Sequence, residues 1–254
     1  MNVTFLPSSC AGESSSQYLT SYLINDAIAI DAGSLGFWRT PADQAAVRHV
    51  LISHSHIDHV ASLPIFLENV AAFHASPVKI YASEAVQDSL RRDLFNGRVW
   101  ADFLRLTHER GRFADMVTIE SGHPLEIEGL RVTPIAMDHV VPTLGFLLED
   151  VASAVVIASD TSPTHEIWTL ANRTSHLKAV FLEATFPNEM APLAELTKHL
   201  TSAQFHAEMH KVTRPARFYA VHLRARCREQ VERELLSAGL PHLEIAKFGK
   251  TYMF

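Results

Sequence analysis

Four side chains able to hold metal ions fall within six residues at His54-Ser55-His56-Ile57-Asp58-His59, directly after the apolar run His49-Val-Leu-Ile-Ser. The end of a buried strand is where α/β folds commonly present functional side chains. In an extended or tightly turned stretch, His54 and His56 can point to one side and serve one ion. Past the turn, Asp58 and His59 can serve a second. Imidazole with carboxylate suits Zn²⁺, Mn²⁺ or Fe²⁺ better than Ca²⁺ or a thiolate-demanding site. A lone histidine here would be read as an ordinary polar loop residue, but four potential ligands in six positions are read as a metal site. The 15 histidines of the chain support searching for ligand spacing rather than for acid–base pairs alone.

The His-x-His-x-Asp-His pattern resembles the signature of the metallo-β-lactamase superfamily, and further marks of that family follow in order. Asp31, in Ile-Ala-Ile-Asp-Ala-Gly-Ser, resembles the strand-end aspartate that orients the ligand loop without itself ligating. His139 in Asp-His-Val-Val-Pro-Thr-Leu-Gly-Phe resembles the third histidine of the first site. Asp160 in Ile-Ala-Ser-Asp-Thr matches the carboxylate shared by both ions, and His222 in Phe-Tyr-Ala-Val-His-Leu the last histidine. The resemblance thus implies His54, His56 and His139 on one ion and Asp58, His59 and His222 on the other, with Asp160 shared. His199 in Lys-His-Leu-Thr-Ser and Glu183 in Leu-Glu-Ala-Thr-Phe resemble the histidine that contacts the phosphate or leaving group and the carboxylate that orients it. Together with Asp58 they form the expected catalytic set. The other nine histidines fit no ligand slot.

Two ions about 3.5–4 Å apart would lower the pKa of a bridging water, supply hydroxide near neutral pH and neutralise charge on the oxygens of a phosphorus or carbonyl centre. The resemblance spans nearly the whole chain, residues 3–254. It implies an α/β fold, the αββα metallo-β-lactamase-type sandwich, in one hydrolase domain over residues 1–254.

The elements that must position these residues alternate along the chain. Strands are predicted at Ser21-Tyr-Leu-Ile, Ala27-Ile-Ala-Ile-Asp, His49-Val-Leu-Ile-Ser, Val78-Lys-Ile-Tyr-Ala and Ala154-Val-Val-Ile-Ala. Helical patterns run over 61–73, 84–95, 165–171, 191–212 and 227–237, the last closed by Gly239 and Pro241. No repeat, low-complexity tract or Gly/Pro-rich linker interrupts them. The least regular stretch, Arg91 to Asp115, mixes Trp100, Phe103 and Phe113 with charges, and either caps a site or covers a core edge.

Composition sets outer limits. The hydrophobic fraction of 47% in 254 residues supplies a sizeable core. With 22 basic against 28 acidic residues, a net charge of -6 argues against gripping nucleic acid by overall charge. Cys10 and Cys227 show no ligand spacing and are read as buried or free thiols in a reducing compartment. The first residues lack a basic segment and a sustained apolar core, so no secretory signal is expected, nor does any apolar run suffice to span a bilayer. A cytoplasmic protein without a membrane partner is expected; a homodimer is left open.

Within the superfamily, His139-Val-Val-Pro-Thr-Leu-Gly-Phe, Glu183-Ala-Thr-Phe and His199-Leu-Thr resemble the phosphodiesterase group that holds ribonuclease Z and the class II cyclic-nucleotide phosphodiesterases. The stretches 19–35 and 54–63 are similar to the class II enzymes, departing at Ile57, usually Leu, and Ser62, often Gly. A 3′,5′-cyclic nucleotide, cAMP or cGMP, is therefore the expected substrate, opened to the 5′-monophosphate. Phe37, Trp38, Trp100 and Phe103 are candidates to stack on its base, though such residues more often fill core. The alternatives are a ribonuclease Z-like RNA 3′-end endonuclease and a lactone or ester hydrolase. Ribonuclease Z enzymes usually carry a tRNA-gripping arm between the positions of His139 and Asp160. Here that interval reads as two strands and a turn without Lys or Arg.

Overall fold

Short runs of aliphatic and β-branched residues, bounded by turn-forming residues, make the strands of the computed structural model, which describes residues 1–8, 16–110 and 113–254. Cys10 and the side chain of His108 lie outside the described residues. The strands are β1 (Asn2–Phe5), β2 (Tyr22–Ile24), β3 (Ile28–Ile30), β4 (His49–Leu51), β5 (Val78–Ala82), β6 (Ala114–Thr118), β7 (Leu125–Ile127), β8 (Leu130–Met137), β9 (Thr143–Glu149), β10 (Ala154–Ile157), β11 (Leu177–Glu183), β12 (Arg217–Val221), β13 (Leu243–Ile245) and β14 (Thr251–Met253). The chain divides into two compact units, one of Asn2–Ile119 with Phe248–Met253 and one of Glu120–Lys247 with the terminal residues Met1 and Phe254.

The first unit carries a seven-stranded sheet in the order β14-β1-β2-β3-β4-β5-β6. Its β14 to β3 half is antiparallel, whereas β3, β4, β5 and β6 run parallel. The pairing of Ile30 with Leu51 brings the ends of β3 and β4 side by side, so Asp31 and Ser53 leave the sheet together. Behind them, helix α1 (Leu63–Val70) buries Leu63, Phe66, Leu67 and Val70, spaced at i, i+3, i+4 and i+7. These join Val50, Ile52 and Ile80 in one core, where each large aliphatic or aromatic side chain contributes about 1.5–3 kcal/mol. The helix predicted over 61–73 is shorter than expected because Ser62 lies outside helical backbone and Pro64 starts the first turn. The irregular stretch covers the core edge: Phe95 and Phe103 are buried, and the Phe103 and Phe113 rings stack at 4.3 Å.

The second unit carries the sheet β13-β12-β11-β10-β9-β8-β7, antiparallel from β7 to β10 and parallel from β10 to β13. Three neighbouring parallel strands therefore end together, and Asp160, Glu183 and His222 sit at or just past those ends. The interval between His139 and Asp160 is β9, a turn and β10, as predicted. The helix predicted over 191–212 is two helices, α2 (Ala191–Thr197) and α3 (Ser202–Met209). Lys198 stops α2 in the left-handed region at φ 52°, and a Thr201–Gln204 capping box starts α3. That break delivers His199 to the strand ends. Among the described residues no helix is long and apolar enough to cross a membrane, and Cys227 is a free thiol.

Candidate metal centre

In the first unit the candidate ligand segment hangs from Asp31. Its carboxylate accepts the Ser53 amide at 2.8 Å, the Ser53 hydroxyl at 2.8 Å and His59 Nδ1–H at 2.7 Å. Because the Ser53 proton goes to Asp31, the hydroxyl oxygen accepts from His54 Nδ1–H, 3.0 Å away. One buried carboxylate thus orients two imidazoles. His54 Nε2 and His56 Nδ1 approach to 3.1 Å, converging as two donors to one ion would. Asp58 is half-buried, with a carboxylate oxygen 4.0 Å from His59 Nε2. The turn that carries it demands glycine at 33, since a Cβ there would sit 2.0 Å from the Asp58 carbonyl oxygen. Ser62 accepts the Gly36 amide and donates to the Ala32 carbonyl, so this departure from the family pattern braces the loop. Ile57, the other departure, is exposed.

The second unit repeats the device. Glu183 accepts the Thr161 amide at 2.9 Å, the Leu200 amide at 3.1 Å, His199 Nδ1–H at 2.8 Å and the Thr185 hydroxyl. With its proton on Glu183, Thr185 accepts from His222 Nδ1–H at 2.9 Å. His139 Nδ1–H donates to the Lys198 carbonyl at 2.9 Å. Asp160, buried, places Oδ2 3.5 Å from His222 Nε2 and 4.0 Å from His139 Nε2. Burial pushes the His139 pKa down against the pull of Asp160. Burial also opposes a charge on His199, yet the Glu183 carboxylate outweighs it and raises that pKa.

These donor sets fit divalent ions. Five imidazoles, those of His54, His59, His139, His199 and His222, have Nδ1 engaged, so coordination would fall to Nε2, the arrangement that fixes a metal ligand's tautomer. Asp160 Oδ2 thus faces two imidazole Nε2 atoms, a carboxylate–imidazole donor set that suits a divalent ion such as Zn²⁺. Donor atoms of Asp160, His199 and His222 all lie within 4.8 Å of one another. Among the described residues, four of the eight non-glycine residues with positive φ, Asp31, Ser159, Lys198 and His222, lie in or beside these clusters.

A profile of the Beta-lactamase superfamily domain matches residues 28–223. The chain belongs to that superfamily. Among curated relatives, Ribonuclease Z of Metallosphaera sedula is 27% identical over 146 residues, covering 55% of this chain and 45% of that one, so this chain spans less than half that enzyme's length. Among solved structures, the metallo-β-lactamase fold protein YhfI of Bacillus subtilis aligns with TM-score 0.74 at 16% identity over 99% of this chain and 98% of that one. Yeast PDE1 aligns with TM-score 0.82 at 16% identity over 98% of both chains. The fold is therefore the metallo-β-lactamase fold, as the sequence led us to expect, and the described residues include candidate metal-ligating clusters.

Within the first unit the structure gathers His54, His56, Asp58 and His59, and within the second His139, Asp160, Glu183, His199 and His222. Ser53, Thr185 and the Lys198 carbonyl were not foreseen as supports. For the first two the signal was present: a hydroxyl adjoining His54 and another two residues after Glu183. His49, His74 and His206 make hydrogen bonds to Tyr81 and to the Ala45 and Leu235 carbonyls, away from either cluster.

Proposed function

We propose that this protein is a binuclear phosphodiester hydrolase whose substrate is a small 3′,5′-cyclic nucleotide, opened to the 5′-monophosphate. On the family resemblance, His54, His56 and His139 would hold one divalent ion and Asp58, His59 and His222 the other, with Asp160 shared; Zn²⁺ would suit these donors best, with Mn²⁺ or Fe²⁺ as substitutes. The observation that carries the reading is the tautomer lock, by which an acceptor on Nδ1 readies Nε2 of His54, His59, His139 and His222 for a metal. When bound, the ions supply an activated water and offset the negative charge of the phosphoryl oxygens.

The chain's own residues do the rest. Glu183 fixes the His199 ring, and His199 hands a proton to the departing 3′-oxygen. The pKa of His199, raised by Glu183, accords with that role. A small substrate accords with the β9–turn–β10 hairpin, which leaves no tRNA arm between His139 and Asp160 and holds no Lys or Arg in the interval.

The ribonuclease Z relatives favour a second reading, RNA 3′-end cleavage, and Arg214, Arg217, Arg224, Arg226 and Arg228 would then supply phosphate contacts. The test is kcat/KM of the zinc-loaded protein for cAMP, cGMP, precursor tRNA and a lactone at moderate salt. Cyclic nucleotides are expected to lead. Efficient tRNA cleavage with negligible cyclic-nucleotide turnover reverses the order, and dominant lactone turnover removes the phosphodiesterase reading.

A further inference from the structure

Lys198 and Asp138 each stand one residue before a histidine of the centre, and they hold one another. Lys198 Nζ lies 2.6 Å from Asp138 Oδ1, while the Lys198 carbonyl takes the Nδ1–H of His139 at 2.9 Å. The two dipeptides Asp138-His139 and Lys198-His199 are thus cross-linked twice, once between two side chains and once from a side chain to a backbone carbonyl. A third segment is tied in. The Ser162 hydroxyl donates to Asp138 Oδ2, the Ser162 amide to the Asp138 carbonyl at 2.8 Å, and the Asp138 amide to Thr161 Oγ1 at 3.3 Å. Thr161 and Ser162 directly follow Asp160. Asp138, Ser162, Lys198 and His199 line one cavity of about 500 Å³, so the knot sits where His199 opens outward.

The backbone at Lys198 argues that its side chain is used. At φ 52° and ψ 54° it occupies the left-handed region, which costs a residue with a Cβ about 1–2 kcal/mol and costs glycine almost nothing. An end to α2 needs only that conformation, for which glycine is the ordinary choice. A lysine brings an ammonium that reaches across to the residue before His139.

We propose that Lys198 is a positioning residue: its ammonium, through Asp138 and Ser162, sets the place of the Lys198 carbonyl and thereby the angle at which His139 presents Nε2 beside Asp160. The proposal rests on the metal-centre reading above and adds to it a support that the family pattern did not point to. Supports of this kind change metal affinity by about 10–100-fold. The pair itself is about half exposed, 42% at Lys198 and 53% at Asp138, so its loss does little to global stability.

The test is zinc affinity, measured by competition with a chromogenic chelator on the full chain, together with the thermal midpoint and with kcat and KM taken separately. Lys198→Gly keeps the helix end and the carbonyl and removes the side chain with its ammonium. It is expected to weaken zinc binding about tenfold with an equal or higher midpoint and an unchanged KM. Asp138→Asn gives a similar loss, the double variant loses no more than either alone, and Lys198→Arg recovers most of the affinity. Wild-type zinc affinity in both single variants overturns the proposal, as do losses that multiply in the double variant. A raised KM with unchanged zinc affinity overturns it in favour of direct substrate contact. A wild type that takes up no zinc overturns the metal centre itself, and the clamp with it.

Discussion

In the first unit Asp31 accepts one amide, one hydroxyl and one imidazole, and in the second Glu183 accepts two amides, one hydroxyl and one imidazole. Each hydroxyl, Ser53 or Thr185, passes the carboxylate's pull to a further histidine, His54 or His222. The wiring is the same and the connectivity is not. Everything hung on Asp31 comes from the seven residues 53–59, whereas Glu183 gathers residues 161, 185, 199, 200 and 222 from separate elements. The comparison teaches that a carboxylate–hydroxyl–imidazole relay can be built from one loop or from four strand and helix ends. In the second case the order of the site depends on the whole unit being folded.

The largest test is at Asp160, whose Oδ2 lies beside both His139 and His222. Asp160→Ala is expected to lose metal content and activity together, kcat/KM falling about a thousandfold, checked by elemental analysis alongside turnover. Next comes His199→Ala. It should keep its metal and lose about 10²–10⁴-fold in kcat, because it removes the proposed proton donor and leaves the His222–Thr185–Glu183 line intact. Should that variant emerge without metal, His199 is a ligand, and the second unit then differs from the first in what its carboxylate holds.

How much was legible follows the same division. The loop His54 to His59 declared itself because its four candidate ligands fall within six residues and follow an apolar strand. The strand ends Asp160 and His222 were found only through the order of family motifs, because a single polar residue after a strand carries no signature of its own. Lys198 and the break between α2 and α3 went unread inside a predicted helix, since local propensity over 191–212 is helical and tertiary demand at His199 overrides it. The Thr201-Ser-Ala-Gln204 capping box was the sign on the page. The carbonyl of Lys198 could not be read at all, because backbone acceptors look alike in a sequence.

Neutralising the two carboxylates compares the relays directly. Asp31→Asn and Glu183→Gln each replace an acceptor with an amide whose NH₂ meets donors already in place, about 1–3 kcal/mol in a buried site, and each should weaken zinc binding about 10–100-fold. Glu183→Gln should shift the urea midpoint more, because its four donors tie separate elements while those of Asp31 tie one loop. Equal midpoints, or a larger loss at Asp31, would show that connectivity does not set the energetic weight.

The smallest effects are at the hydroxyls, and here the two relays should part. Ser53→Ala removes the acceptor of His54 Nδ1–H and one donor to Asp31, about 1–3 kcal/mol in a buried site, but the Ser53 amide still anchors Asp31 and His59 keeps its own bond, so zinc affinity should drop about tenfold with kcat at saturating zinc unchanged. Thr185→Val keeps the shape of a fully buried side chain and removes a hydroxyl that serves Glu183, receives His222 and lies 3.3 Å from His199 Nδ1. The freed Glu183 lone pair and the stranded His222 N–H cost about 1–3 kcal/mol. Because His199 shares that hydroxyl, kcat should fall several-fold at saturating zinc as well, with Thr185→Ser restoring both quantities. A Thr185→Val protein that loses only zinc affinity would reduce Thr185 to the counterpart of Ser53. One that loses only kcat would detach the His222 bond from metal binding and end the parallel between the two units.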